Sequence, residues 1–377
     1  MPRALLLIVL LLASPASARC PASATTESFQ SSRYDVGVRT LMLEDTTRTT
    51  AAHAGMPEKP SRLLVTEVWY PIERGTTGTE PPVAKGGPFP LVVNSHGLTD
   101  FRTGEGYIAA HLASRGYVVA SPDFPLTNIA TPGGPDISDF HNQPGDVSFI
   151  IDELLKLGKT RGSWLHKAIN RKRIGAMGLS LGGGTTLLVT YHPTLRDPRI
   201  RAALPMAPTA CFFREAFYRK SRAPLLVMQG DEDIVVPLAT NGRVAFDSAV
   251  RSSRTLVSLV RGTHTAFVGL NFPPAEQSYD IVACATLVGV ENRGNFFEGL
   301  GGPENGIETE GCALPCVDPP PNHPPMTAMR QHEISRAVAA AFFDSTLRGS
   351  RPARCFISEH LAAENADVMV ETARGRK

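Results

Sequence analysis

The sequence has almost no net charge. Its 377 residues carry 38 basic and 36 acidic side chains, a formal balance of +2. These charges are spread along the chain, so there is no basic field of the kind that gathers a polyanion, and nucleic acid is excluded as a partner. Membrane-spanning length is also missing. The apolar run at the N-terminus, Ala4 to Ala13, falls short of the roughly 20 residues that a bilayer core takes, so no stable membrane anchor is expected. There is no HExxH, and His332-Glu333 is followed by no second histidine at the required spacing, which argues against a metallohydrolase. The six cysteines are scattered without a histidine cluster, which argues against a zinc site. The glycines of GLGGPENG lie in a Pro-rich loop rather than between a strand and a helix, so they do not make a dinucleotide site. No cofactor is expected, and neither an internal repeat nor a second domain is visible.

The first residues, MPRALLLIVLLLASPASARC, combine an early arginine, a short apolar run and the small-x-small sequence Ala16-Ser17-Ala18. Residues 1–18 therefore read as a signal peptide, which implies a secreted or periplasmic protein. Arg19 stands before Cys20 where a lipid-anchoring signal wants a small residue. An even cysteine count in an exported chain favours disulfides, but spacing does not assign partners to Cys20, Cys211, Cys284, Cys312, Cys316 and Cys355. Residues 19–33 are small and polar and read as a flexible lead-in.

From residue 34 the pattern becomes structured. YDVGVRTLML and RLLVTEVWYPI alternate as half-buried antiparallel strands do. PLVVNSHG, YVVASPDF, RIGAMGLS, RAALPMA, APLLVMQG and RTLVSLVRG are continuous apolar strands, the last of them closing the series. GEGYIAAHLASRG and DVSFIIDELLKLG have helical periodicity, and a further helix follows the glycine cluster after RIGAMGLS. This alternation predicts an α/β fold with a mostly parallel central sheet, helices on both faces and antiparallel N-terminal edge strands. A single folded domain is placed at 34–350 and a C-terminal tail at 351–377. Within the domain, residues 271–326 break the rhythm with PPAEQ, GGPENG and VDPPPNHPP, and this insertion is expected to overhang a pocket and shape access to it.

GLSLG places Ser180 between Gly178 and Gly182, after a buried strand and before a helix, which is the setting of a nucleophilic serine on a sharp turn. A serine hydroxyl needs a base, and the base needs a carboxylate to orient it, in the chain order Ser, acid, His. The loop after APLLVMQG offers Asp233, with Asp231 as the alternative acid, and the loop after RTLVSLVRG offers His264. The amides of Leu181 and Leu98 are the candidate oxyanion donors, with Gly97 allowing close approach of the second. His96 is read as shaping its turn, and His323 and His332 as surface residues.

In this order the segments YDVGVRTL with VWYPI, LVVNSHGL, DFPLTN with NQPGDVSFIIDEL, GLSLGG, GDEDIVVP and GTHTAF resemble secreted serine α/β-hydrolases. The type is dienelactone-hydrolase-like and platelet-activating-factor-acetylhydrolase-like, with bacterial polyester hydrolases as relatives. The resemblance implies the α/β-hydrolase fold and a carboxylic-ester hydrolase that forms an acyl-enzyme on Ser180, with a small ester, lipid or polyester as substrate. Dienelactone hydrolases themselves carry a cysteine where this chain has Ser180, and the polyester-cleaving relatives commonly carry an aromatic residue where this chain has Leu98. A serine peptidase on the same fold and a non-catalytic binding protein are the rival readings. The sequence carries no sign of an oligomeric state.

Overall fold

The aliphatic runs without polar alternation form strands covered on both faces. In the computed structural model, which describes residues 20–269, 280–287, 295–312, 315–319 and 321–376, they build one sheet of nine strands. The strands are β1 (Asp35–Asp45), β2 (Arg62–Ile72), β3 (Phe89–Ser95), β4 (Val118–Pro122), β5 (Ile169–Leu179), β6 (Ile200–Met206), β7 (Leu225–Gly230), β8 (Arg254–Leu259) and β9 (Val368–Ala373). Their order is β1-β2-β4-β3-β5-β6-β7-β8-β9. Strands β3 to β8 run parallel, while β1, β2 and β9 pair antiparallel. The predicted signal peptide lies outside the described residues.

Alternate residues of each central strand feed two cores. Val92, Val119, Met177 and Leu179 face the layer containing α1 (Thr26–Gln30), α2 (Gly106–Ser114), α7 (Ala328–Leu347) and α8 (Arg351–Cys355). Leu91, Val93, Ala120 and Ala176 face α3 (Gln143–Lys159) on the other side. There α4 (Leu181–Tyr191) and α5 (Gly242–Ser248) extend the same layer over β6 and β7. Helix α6 (Asp280–Leu287) belongs to the insertion. Edge strand β1 keeps Val38 and Met42 exposed, as its alternating pattern requires.

Two expectations from the sequence are corrected. Residues 20–33 are not a loose lead-in: Thr25 and Ser28 cap α1 reciprocally, Phe29 packs 4.7 Å from the ring of Phe356, and Cys20 is disulfide-bonded to Cys355. Residues 351–376, placed in the expected tail, are ordered, and β8 is not the last strand. Ser350 caps α8, and β9 pairs with β8 from Leu259↔Val368 to Arg254↔Ala373. In both segments the ordering partner lies far away in sequence, where local composition cannot register it.

The N-terminal strands are tied to the helical layer by a buried charge cluster. Arg62, fully buried at the start of β2, donates to both oxygens of Asp139 (2.9 and 2.8 Å) and both of Asp146 (2.8 and 2.7 Å). Burial pushes the Asp146 carboxyl up while Arg62 pulls it back down. Truncating the arginine would leave the Asp139 carboxylate without a cation in the interior and Asp146 with Arg48 alone (2.7 Å), a defect that costs about 3–5 kcal/mol. Arg62→Ala is therefore expected to lose stability of that order in urea unfolding, and a loss under about 1 kcal/mol would contradict this account of the cluster.

Candidate active site

Strand β5 ends at Leu179 and α4 begins at Leu181, so the whole turn between them falls on Ser180. Its backbone sits at φ 56° and ψ −117°, a conformation that costs an L-residue energy and is held only by its surroundings. The Ser180 amide donates to Met206 O at 3.0 Å, and the Ser180 carbonyl accepts from the amides of Gly184 (3.0 Å) and Thr209 (3.2 Å). The two flanking glycines are required. A Cβ on Gly178 would run into the carbonyls of Gly182 and Ser95, and one on Gly182 would run into the carbonyls of Ser95 and His96.

The loop after β3 lies against this turn, since a Cβ on Gly97 would stand 3.5 Å from Ser180 Cβ. Its shape is set by His96, which is buried and neutral. Nδ1 donates to Gly97 O at 2.7 Å, Nε2 accepts from the Phe124 amide at 3.0 Å, and burial holds the imidazole below its ordinary pKa. Further along the same loop Asp100 and Glu105 are buried together. Burial lifts both carboxyls, and the neighbouring Asp100 lifts Glu105 further. Asn94 donates to Glu105 at 2.8 Å.

At the carboxyl ends of β7 and β8 the structure brings Asp233 and His264 together, with Nδ1 donating to Asp233 Oδ2 at 2.8 Å. The other Asp233 oxygen accepts from the amides of Val235 (3.0 Å) and Val236 (2.7 Å). Burial raises the Asp233 carboxyl, against the pull of His264. Burial alone would lower His264, but the Asp233 charge, with Asp280 adding to it, leaves the imidazole above its ordinary value. Asp231 points elsewhere: it is exposed, and its carboxylate accepts from the Arg261 amide at 2.6 Å. His323 is exposed and pairs with Glu232 at 3.2 Å. His332 is not a surface residue as the sequence suggested. It is buried, stacks on Tyr107 with centroids 3.9 Å apart and donates to Val268 O at 3.1 Å, because α7 turns that face toward α2 and the loop after β8.

Ser180 and His264 line one cleft of about 180 Å³, together with Leu98, Asp100, Ile129, Val235 and Val268. A second hollow of about 140 Å³, walled by Ile137, Leu181, Thr209 and Phe296, shares Leu98, Ser180, Val235 and Leu287 with the first. Both are mostly apolar, and no lysine or arginine is among the described residues that line them. The insertion supplies a wall: α6 contributes Val282, Ala283, Thr286 and Leu287. Sequence reasoning missed α6 and its first residue, Asp280, although an acid heading the apolar stretch IVACATLVG was the available signal. The one metal-type cluster among the described residues, Cys20 with Glu359 and His360, has its sulfur in a disulfide and offers no metal site.

Known proteins resemble about half of the chain. Cutinase 2 of Thermobifida cellulosilytica is 26% identical over 200 residues, 53% of this chain and 64% of that protein. Cutinase cut1 of Thermobifida fusca is also 26% identical over 200 residues, 53% of either chain. A bis(hydroxyethyl) terephthalate hydrolase of Streptomyces coelicolor is 27% identical over 191 residues, 50% of this chain and 55% of that one. The chain thus spans between about half and just under two thirds of the length of these relatives. A family model described as PET hydrolase-like matches residues 74–278, more than half of the sequence. Since that match runs from the loop after β2 through Ser180 and Asp233 to His264, on a mostly parallel sheet with helices on both faces, the chain belongs to the PET hydrolase-like family of α/β-hydrolases.

Proposed function

We propose that the protein is an exported carboxylic-ester hydrolase acting through Ser180, His264 and Asp233. The observation that carries this reading is the His264–Asp233 pair opening onto the apolar cleft that Ser180 also lines. Asp233 fixes the imidazole with Nδ1 protonated, which leaves Nε2 as the basic nitrogen. Nε2 takes the Ser180 proton as Oγ attacks the acyl carbon, and the tetrahedral oxyanion is held by the amides of Leu181 and Leu98. His264 then gives the proton to the leaving alcohol. Water, deprotonated by the same nitrogen, releases the acid from the acyl-enzyme.

The walls support a neutral, apolar ester. Among the described residues that line the cleft, Asp100 is the one acidic side chain and no cation stands by for an anionic group. The two hollows meet at Ser180, which gives the acyl and alcohol parts separate room. The names of the relatives, cutinases and a bis(hydroxyethyl) terephthalate hydrolase, favour polyester fragments as one form of such a substrate. Three disulfides, Cys20–Cys355, Cys211–Cys312 and Cys284–Cys316, suit an oxidising compartment and support export.

Hydrolysis of p-nitrophenyl esters from acetate to palmitate tests the reading. Ser180→Ala should lower kcat by about a thousandfold or more while the fold persists, and a serine-directed phosphonate should label the parent chain alone. Turnover that survives the substitution would sink the serine mechanism, and an unlabelled, inactive parent would favour a binding protein on this scaffold.

The acid–base chemistry gives a second test. Catalysis needs neutral His264, so kcat/KM should fall as pH drops through its pKa. With the imidazole raised, the midpoint of that acid limb should lie above the ordinary value of 6.5. A midpoint at or below 6.5 would contradict the account in which the Asp233 and Asp280 charges outweigh burial at His264.

A further inference from the structure

The insertion does more than wall the cleft, because its helix reaches into the loops that hold the acid and the base. Asp280, the first residue of α6, is fully buried. One of its oxygens accepts from the amides of His264 (3.1 Å) and Ile234 (3.2 Å). The other accepts from the Thr265 amide (2.8 Å) and the Thr265 hydroxyl (3.0 Å). A single carboxylate therefore bridges the loop after β7 and the loop after β8. Every one of these partners is a donor, an arrangement that suits the ionised carboxyl, which only accepts.

The same loop is held from its other side. The Ile234 carbonyl accepts from the Cys316 amide at 2.8 Å, and Cys316 is disulfide-bonded to Cys284, one turn along α6 from Asp280. Residue 234, next to Asp233, is thus fixed through its N–H by Asp280 and through its C=O by Cys316. Helix α6 begins just past the segment that the family model matches, while the residues it holds, Ile234, His264 and Thr265, lie within it.

We propose that Asp280 is a positioning residue for His264: its carboxylate locks the acid and base loops into one geometry and places a second negative charge beside the imidazole. The proposal rests on the reading of Ser180, His264 and Asp233 as the reacting set. It makes the cover helix and the catalytic alignment one unit, since α6 cannot leave the cleft without breaking the bonds that align both loops. Among the described residues, the titratable groups that face His264 are Asp233 from the loop after β7, Asp280 from α6 and, across the cleft, Asp100 from the loop after β3. His332 on α7 lies behind the same loop, bonded to Val268. Of these, Asp233 and Asp280 act electrostatically to favour protonated His264.

The test is the titration of His264 by NMR in the full, disulfide-intact chain, run beside the pH dependence of ester hydrolysis. Asp280→Asn keeps the size and removes the charge, so the His264 pKa should fall. The acid limb of kcat/KM should move down with it, and kcat should drop about tenfold or more with KM changed little, because the base is misplaced rather than the cleft. Asp280→Ser is a second charge-removing variant should the first fail to fold. An unchanged His264 pKa in the folded variant would overturn the proposal. The double variant Cys284→Ser/Cys316→Ser frees the other attachment of α6 while keeping the Asp280 carboxylate. It should leave the His264 titration as in the parent chain, and a shift as large as that of Asp280→Asn would also overturn the proposal. A parent chain that hydrolyses no ester yet shows the pKa difference would remove the hydrolase reading and leave Asp280 as the residue that positions His264.

Discussion

Beneath Ser180 two stretches of backbone lie closer than a Cβ on either flanking glycine would allow. The carbonyls of Ser95 and His96 occupy the space that a side chain at Gly182 would need, and the Gly182 carbonyl fills the corresponding space at Gly178. This contact presses the end of β3 against the turn from β5 to α4. It holds Ser180 in its unfavourable φ and carries the Leu98 loop to the same point. Strand order does the rest. Because β3, β5, β6, β7 and β8 are parallel neighbours, the residues after four of them meet at one edge of the sheet.

The electrostatics at that edge are lopsided. His264 stands between two buried carboxylates, and Asp100 and Glu105 lie buried under the loop opposite, while no lysine or arginine lines the cleft among the described residues. Such a site tolerates a transient positive charge on the imidazole and disfavours an anionic ligand. The protein's large buried cation, Arg62, is spent elsewhere, joining β2 to α3.

The sheet, the serine turn and the positions of Asp233 and His264 could be read from the sequence because each is written locally: aliphatic runs, glycines spaced around a serine, an acid and a histidine just after strands. Which of Asp233 and Asp231 turns inward is not written locally: the amides of Val235 and Val236 hold one Asp233 oxygen and His264 meets the other, while Asp231 accepts from the Arg261 amide. What stayed hidden was held by contacts remote in sequence. The segment around Phe29 is ordered by Phe356, strand β9 by β8, and His332 is buried by Tyr107. Asp280 escaped notice for the same reason, since its four donors belong to residues 234, 264 and 265.

The bond between Cys20 and Cys355, separated by 335 residues, sets an order on the birth of the molecule. Both Cys355 and strand β9, which covers the outer edge of β8, are made about a hundred residues after β8. Until then β8 presents an unpaired edge, and Cys20 is a thiol without its proper partner among four earlier-arriving cysteines. A chain that emerges from its N-terminus therefore passes through a stage in which mispairing and edge-to-edge association are open to it. On the proposed export, its yield in an oxidising compartment becomes a race between completion of the sheet and premature oxidation.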